Sequence, residues 1–225
     1  NLCYRKNLWF NTMLTHRAYF QGDIFIGYVM PNGDIKDTLN EEESGSISTM
    51  NLVVDDDNRF WPDGIVPFDY SQMSSSAKNA IDTAMGKIEA VSGVRFTPRN
   101  GHSDYIKFTT HQNTCSANVG RIGGQQLVRL ANYCQNSSSS SIGTIIHELM
   151  HSLGFRHTHS RADRNSYIQV HYSNIQASRQ SNYDIITSNV EMIGDYDPVS
   201  IMHYGRYVTA SWAVNPNRHY SVRFP

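Results

Sequence analysis

The chain has 225 residues, of which 39% are hydrophobic and 17% are charged, and its formal net charge is −1. A balance this close to neutral creates no long-range field for nucleic acid or an anionic membrane, so we expect neither partner. No apolar run approaches the roughly 18 residues that a membrane-spanning helix needs. The length suits one domain, or two packed subdomains, with a substantial core, and we expect a monomer.

The first 50 residues differ in character from the rest of the chain. They contain a short apolar, strand-like run within Phe20–Val29 and then an acidic stretch with glycine and serine at Thr38–Ser46. A segment of the latter composition is exposed and is a typical site of proteolytic cleavage. It is either an ordinary surface loop or an activation linker. We assign residues 1–50 to a pro-segment with its linker and expect the cut between about Glu43 and Asp55.

Residues 51–154 combine strand and helix signals, and we predict that they form one catalytic subdomain. Pro62-Asp63-Gly64 has turn chemistry, and Ser74–Ser76 can cap a helix whose apolar spacing continues to Gly93. The predicted strands lie after the turn, at Val94–Phe96, at Tyr105–Phe108 and after the glycines near Gly123.

The sequence contains three cysteines, Cys3, Cys115 and Cys134. The last two flank the glycine-rich turn and its strand, and a disulfide between them would close a loop of about 20 residues and add about 3 kcal/mol. The alternative is two unrelated thiols. If the disulfide forms, Cys3 is left over.

The stretch His147–His157 reads HELMHSLGFRH. It follows a serine run at Ser137–Ser141 that can cap a helix. Residues four apart share one face of a helix, so His147 and His151 would offer two imidazoles to one ion, with Glu148 within reach of its water. Gly154 would leave the helix in a left-handed conformation and return His157 as a third ligand.

Three neutral imidazoles and one open position are typical of a catalytic zinc site. Zinc lowers the pKa of a bound water, and a neighbouring carboxylate can take its proton. We therefore predict Zn²⁺ as the cofactor and Glu148 as the general base of a hydrolase. The alternative is that these are solvated histidines of an amphipathic helix, but the glycine and the third histidine argue against it. Such a site, with few lysines and many Asn, Ser and Tyr residues, favours a secreted protein.

The zinc stretch together with Ser200-Ile201-Met202-His203-Tyr204 resembles the astacin family of metzincin zinc endopeptidases. The resemblance implies an α+β, zincin-like fold with a twisted mixed sheet, two long helices, an active-site cleft and an irregular C-terminal subdomain at residues 155–225. Further similar stretches are the start of the mature domain at Trp61–Phe68, the upper-rim strand region at Cys115–Gln126 and the pro-segment motif at Phe20–Asp23.

The resemblance also implies roles for single residues. Met202 would lie in a turn beneath the zinc as an apolar floor. Tyr204 would lie close enough to bind zinc, swing away when substrate binds, and stabilise the oxyanion with its hydroxyl. The plain alternatives are a core methionine and a packed tyrosine.

Two residues compete as the plug of the open zinc position in the latent form. The family's pro-segment motif points to Asp23, whereas we favour Cys3, because the leftover thiol needs an explanation and zinc binds thiolate strongly. The plain alternatives are a turn residue for Asp23 and a disordered end or an intermolecular disulfide for Cys3.

Two positions depart from the family pattern. Thr158 stands where a glutamate ties down the new amino terminus after cleavage, which puts that anchor in question here. Asn165 replaces an expected aspartate.

We predict a secreted zinc endopeptidase in its latent pro-form, in which Glu148 is the general base for attack by a zinc-bound water. Its partners are protein or peptide substrates, its own pro-segment as inhibitor, and an activating protease. Substrate would pair with the strand near the cysteine loop. One alternative is a non-catalytic zinc-binding or adhesion module, against which Glu148 argues. Another is a different metzincin subfamily, against which Phe155 and Met202–Tyr204 argue.

Overall fold

The computed structural model describes residues 51–207, 212–215 and 221–223, and the backbone of three N-terminal strands. These strands are β1 (Ala18–Phe20), β2 (Ile24–Val29) and β3 (Ile35–Lys36), which form an antiparallel sheet in the order β1-β2-β3. The strand predicted in the apolar N-terminal run is therefore present. Cys3, Asp23 and the predicted activation linker lie outside the described residues.

A five-stranded sheet organises the first half of the described chain, in the order β6-β5-β7-β9-β8. Its inner pairs are parallel, and the short edge strand β8 runs antiparallel to β9. The sheet is thus mixed, as predicted. Its strands are β5 (Ile65–Asp69), β6 (Arg95–Pro98), β7 (Tyr105–His111), β8 (Ser116–Ala117) and β9 (Gln125–Ala131).

Two α-helices, α1 (Ser75–Glu89) and α2 (Ser139–Ser152), pack against each other and against this sheet. Helix α1 begins as predicted, because the Ser74 hydroxyl accepts a hydrogen bond from the Ala77 N–H. The prediction that α1 extends to Gly93 is wrong. The Ser92 hydroxyl donates to the carbonyl oxygen of Ile88 at 2.6 Å and so satisfies a C-terminal carbonyl group of the helix.

Within the described chain neither helix has the length and apolar character needed to cross a membrane.

The second half is irregular, as predicted: short 3₁₀ turns connect β10 (Phe155–Arg156), β11 (Gln169–Val170), β12 (Val190–Ile193) and β13 (Val222–Arg223). An additional strand, β4 (Asn51–Val54), lies between β10 and β12 and pairs antiparallel with both. Strand β4, which belongs to the first predicted subdomain, therefore pairs with two strands of the second, across the predicted boundary at residue 154. The division into subdomains remains a prediction.

The hydrophobic core lies between the five-stranded sheet and the two helices, and a smaller apolar cluster supports the second half. Cys115 and Cys134 form a disulfide, which ties the approach to β8 to the turn that precedes α2. The predicted pairing of these two cysteines is therefore confirmed.

Gly154 ends the α2 segment with a φ of +104°, as its position in the sequence predicted. A Cβ atom at this residue would lie 3.1 Å from Cγ2 of Val54. We expect Gly154→Ala to lower the free energy of unfolding by about 1–3 kcal/mol, because the backbone is strained for a side chain and the neighbouring strand is close. Urea denaturation would measure this change.

The matched control is Gly86→Ala in the interior of α1, where an added Cβ meets no atom within 4 Å. Alanine favours a helix interior over glycine by about 0.5–1 kcal/mol, so this variant should gain stability. Equal effects at the two positions would contradict the conformational role of Gly154.

Candidate metal centre and active site

Helix α2 is fixed at both ends. At its start the Ser138 hydroxyl accepts a hydrogen bond from the Ser141 N–H at 3.2 Å. At its end the indole N–H of Trp61 donates to the carbonyl oxygen of Ser152 at 2.9 Å, and the Gly120 N–H donates to that of His151 at 2.8 Å. The last two contacts satisfy carbonyl groups that a helix end leaves without partners, and they hold the last helical turn, which carries the predicted ligand His151.

Three imidazoles converge beside this turn. The Nε2 atom of His157 lies 3.2 Å from Nε2 of His151 and 3.3 Å from Nε2 of His147. Each of the three residues offers a ligand atom, and these atoms lie within 4.8 Å of one another. The structure therefore brings together the three histidines that the spacing and Gly154 predicted.

The hydrogen bonds of two rings leave their Nε2 atoms unprotonated and able to bind a metal. Nδ1 of His147 lies 2.7 Å from the carbonyl oxygen of Ile201, and Nδ1 of His151 lies 2.8 Å from that of Phe155. A carbonyl oxygen only accepts, so each Nδ1 carries the proton and each Nε2 presents a lone pair to the centre.

A cation between the three Nε2 atoms would accept a lone pair from each of them. Zinc–nitrogen bonds of about 2.0–2.1 Å in a tetrahedral arrangement separate the nitrogens by about 3.3–3.4 Å. The distances of 3.2 and 3.3 Å between the Nε2 atoms match this value. The residues present therefore fit a zinc ion.

Burial keeps these imidazoles neutral. It lowers the pKa of His151 to about 3 and that of His157 well below 6.5, and it also lowers the pKa of His147. For His151 and His157 the neighbouring imidazoles lower the pKa further. The neutral ring is the form that binds a metal, so the apolar surroundings prepare the ligands.

Glu148 lies next to this triad on α2 and is only 6% exposed. Burial raises the pKa of its carboxyl group to about 8, and the N–H of Ala117, in edge strand β8, partly offsets this by hydrogen bonding to the carboxylate. A nearby divalent cation favours the ionised form and so lowers this pKa. The carboxyl group is thereby poised to accept and release a proton near neutral pH.

The segment Ser200–Tyr204 supports the site through its backbone. The carbonyl oxygen of Ile201 orients His147, and that of Met202 accepts a hydrogen bond from the Thr158 N–H at 2.9 Å. Met202 is fully buried in the main core. Its burial agrees with the position that the resemblance implied, and its role as an apolar floor beneath the metal remains a prediction.

The ring of Tyr204 packs on that of His157, with 4.5 Å between the ring centroids. Its backbone is held by two histidines that the sequence analysis did not single out. The Tyr204 N–H donates to Nδ1 of His159 at 3.1 Å, and its carbonyl oxygen accepts from Nδ1 of His203 at 2.5 Å. The sequence could have indicated them, because His159 follows the stretch His147–His157 and His203 lies within Ser200–Tyr204.

Thr158 is fully buried, and its hydroxyl oxygen has no hydrogen-bond partner among the described residues. The structure thus has a buried hydroxyl at the position where the resemblance implied a glutamate. At the other departure, the Asn165 side-chain oxygen accepts a hydrogen bond from Nε of Arg164 at 3.0 Å.

Comparisons with known proteins agree with this site. Residues 53–217 match the Astacin peptidase family. The chain is 36% identical over 165 residues to the astacin-like metalloendopeptidase of Mus musculus, and the match covers 71% of this chain and 37% of the relative. It is 33% identical over 202 residues to blastula protease 10 of Paracentrotus lividus, and that match covers 84% of this chain and 32% of the relative. The chain thus spans about a third of the length of these curated relatives.

Among solved structures, the chain is similar to high choriolytic enzyme 1, a hatching enzyme zinc-protease from Oryzias latipes. The TM-score is 0.62 and the sequence identity is 29%, and the match covers 73% of this chain and 80% of that one.

The shifted pKa values predict how the stability of the metal-free protein depends on pH. Five histidines have a lowered pKa in the native state, so their contribution is complete above pH 6.5 and is lost as the pH falls through their native values. Glu148 acts oppositely: its raised pKa of about 8 stabilises the native state below pH 4.5, and that contribution is lost as the pH rises through 8. The histidines are His147, His151, His157, His159 and His203.

Because five groups oppose one, we expect the free energy of unfolding to fall on acidification from about pH 7.5 to about pH 5.5. Urea denaturation of the metal-free protein at both values tests this. In Glu148→Gln the opposing contribution is absent, so the fall should be steeper. Stability that rises with acidification in both proteins would contradict the assigned shifts.

Proposed function

Since this chain belongs to the astacin family of zinc metalloendopeptidases, we propose that it cleaves internal peptide bonds of proteins or peptides and that residues 1–50 keep it latent. The observation that carries the proposal is the convergence of three Nε2 atoms beside a buried carboxyl group. A purely structural zinc site has no use for a base next to its ligands.

In the proposed mechanism His147, His151 and His157 hold zinc, which when bound supplies Lewis-acid polarisation of the scissile carbonyl and lowers the pKa of water. Glu148 takes the proton of the attacking water and passes it to the leaving amine nitrogen. The Tyr204 hydroxyl donates a hydrogen bond to the oxyanion of the tetrahedral intermediate.

The position of the edge strand supports an extended substrate. Strand β8 is the last strand of the five-stranded sheet, and its Ala117 N–H hydrogen bonds to the carboxylate of Glu148. A peptide that adds to this edge would have its backbone beside the general base. We propose that substrate binds here as an added strand.

Two observations bear on latency. Strand β2 lies against α2, which supports a pro-segment placed over this helix. The contact favours Asp23 as the plug, because Asp23 is the residue just before β2. The Cys115–Cys134 disulfide leaves Cys3 as the remaining cysteine of the sequence, which favours a thiolate plug. We propose Cys3 as the latent ligand, with Asp23 as the alternative.

The contacts of strand β4 support a cut that lies before this strand. It is the central strand of its sheet, Leu52 and Val53 are buried, and Val53 pairs with Phe155, whose carbonyl oxygen orients His151. A cut within β4 would disturb this support. We therefore propose that an activating protease cuts between Glu43 and Asn51, and that the protein acts outside the cell, where its disulfide persists.

The test of the enzymatic proposal is Glu148→Ala, assayed by casein digestion after limited trypsin cleavage. We expect turnover to fall by about 10²–10⁴-fold, because the proton acceptor is lost, while one equivalent of zinc is retained. A chelator should abolish the activity of the unaltered protein.

The matched control is Glu191→Gln, which neutralises an exposed carboxylate on β12 and should leave turnover unchanged. Full activity of Glu148→Ala would exclude its role as base. A zinc-loaded, cleaved wild-type protein without turnover would favour a non-catalytic zinc module.

The latent ligand is tested by comparing Cys3→Ser with Asp23→Ala in the uncleaved chain. We expect Cys3→Ser to show activity before cleavage, or an unstable pro-form, because the thiolate is missing from the zinc. Peptidase activity and zinc content before and after trypsin measure this. If only Asp23→Ala is active without cleavage, Asp23 is the plug.

A further inference from the structure

His159 contacts both the third ligand and Tyr204. Its ring is fully buried, with ring centroids 5.0 Å from His157 at an interplanar angle of 22° and 4.1 Å from Tyr204 at 31°. It therefore packs against both a residue proposed to hold the metal and the residue proposed to hold the oxyanion, and these two rings also contact each other.

The two ring nitrogens of His159 have different partners, which fix its tautomer. The backbone N–H of Tyr204 donates to Nδ1 at 3.1 Å, so Nδ1 carries no proton. Nε2 lies 3.1 Å from the carbonyl oxygen of Asn182, which only accepts, so Nε2 carries the proton. Both nitrogens of the neutral ring are thus used, and neither is left to bind a metal.

The surrounding network holds this ring in place. Arg164 is buried and donates to the carbonyl oxygens of His159, at 3.0 Å, and of Tyr183. His203, whose ring also contacts that of His159, donates from Nδ1 to the Tyr204 carbonyl oxygen, and its Nε2 lies 2.5 Å from the hydroxyl of Tyr196. The backbone of Tyr204 is thereby held by hydrogen bonds at both its N–H and its carbonyl group.

We propose that His159 is the positioning residue of Tyr204: it fixes the backbone from which the Tyr204 side chain reaches the oxyanion. This inference rests on the proposed function, because it gives Tyr204 its role in the transition state. A support that acts only there should change kcat and leave KM nearly unchanged.

Two substitutions separate the contacts of the ring. In His159→Asn the amide oxygen can replace Nδ1 as the acceptor for the Tyr204 N–H, but the donor to Asn182 is lost. In His159→Gln the longer amide can replace the Nε2 donor, but the acceptor for Tyr204 is lost. Positioning of Tyr204 therefore requires Asn to be the milder change, whereas a merely structural link to Asn182 requires Gln to be the milder one.

The experiment measures kcat, KM and zinc content with a fluorogenic peptide and trypsin-activated full chain. We expect Tyr204→Phe to lower kcat by about 10²-fold. We expect His159→Gln to lower it by about 10-fold, the rate equivalent of one lost hydrogen bond, with one zinc per chain retained. His159→Asn should lose only a few-fold. His102→Gln, at an exposed histidine, is the control and should match the unaltered enzyme.

Coupling completes the test. In a Tyr204→Phe background, His159→Gln should produce little further loss of kcat, because the group that it positions is already missing. Additive losses, a reversed order of Asn and Gln, or loss of zinc would overturn the proposal while Glu148→Ala still reports the enzymatic function. If Tyr204→Phe itself leaves kcat unchanged, the oxyanion role of Tyr204 fails and the role of His159 fails with it.

Discussion

The arrangement of the site depends on one constraint: the Nε2 atoms of three imidazoles converge on the same point. Nε2 of His157 lies 3.2 Å from that of His151 and 3.3 Å from that of His147, and these separations match nitrogens bound to one zinc ion. For His147 and His151 the direction is set by carbonyl oxygens of other segments, at Ile201 and Phe155. The backbone around the centre therefore determines which nitrogen faces the metal.

Strand β4 connects the proposed cleavage region to the proposed metal ligand His151. It begins just after the predicted linker, and its residue Val53 pairs with Phe155, whose carbonyl oxygen orients His151. The glutamate that the resemblance implied as an anchor for the new amino terminus is replaced by the buried Thr158. Here β4 is held by backbone pairing and by the apolar burial of Leu52 and Val53.

Buried polar groups surround the proposed ligands in a second layer. His159 and His203 are almost fully buried, and burial lowers the pKa of each, to about 3 and about 4. Such groups are costly to bury unless their hydrogen bonds are satisfied, and here each ring nitrogen has a partner. The backbone of Tyr204 is hydrogen-bonded to both rings and is fixed by them.

The sequence alone determined the local features of the site. Helical spacing placed His147 and His151 on one face, and Gly154 predicted the turn that returns His157, because these effects act over a few residues. Only the tertiary structure decided the contacts made by His159, because they join segments that are distant in the chain. The tertiary structure also decided that the Ala117 N–H lies beside Glu148 and that β4 pairs with Phe155. The periodicity of a sequence indicates which face of an element is buried, but it does not indicate which element packs there.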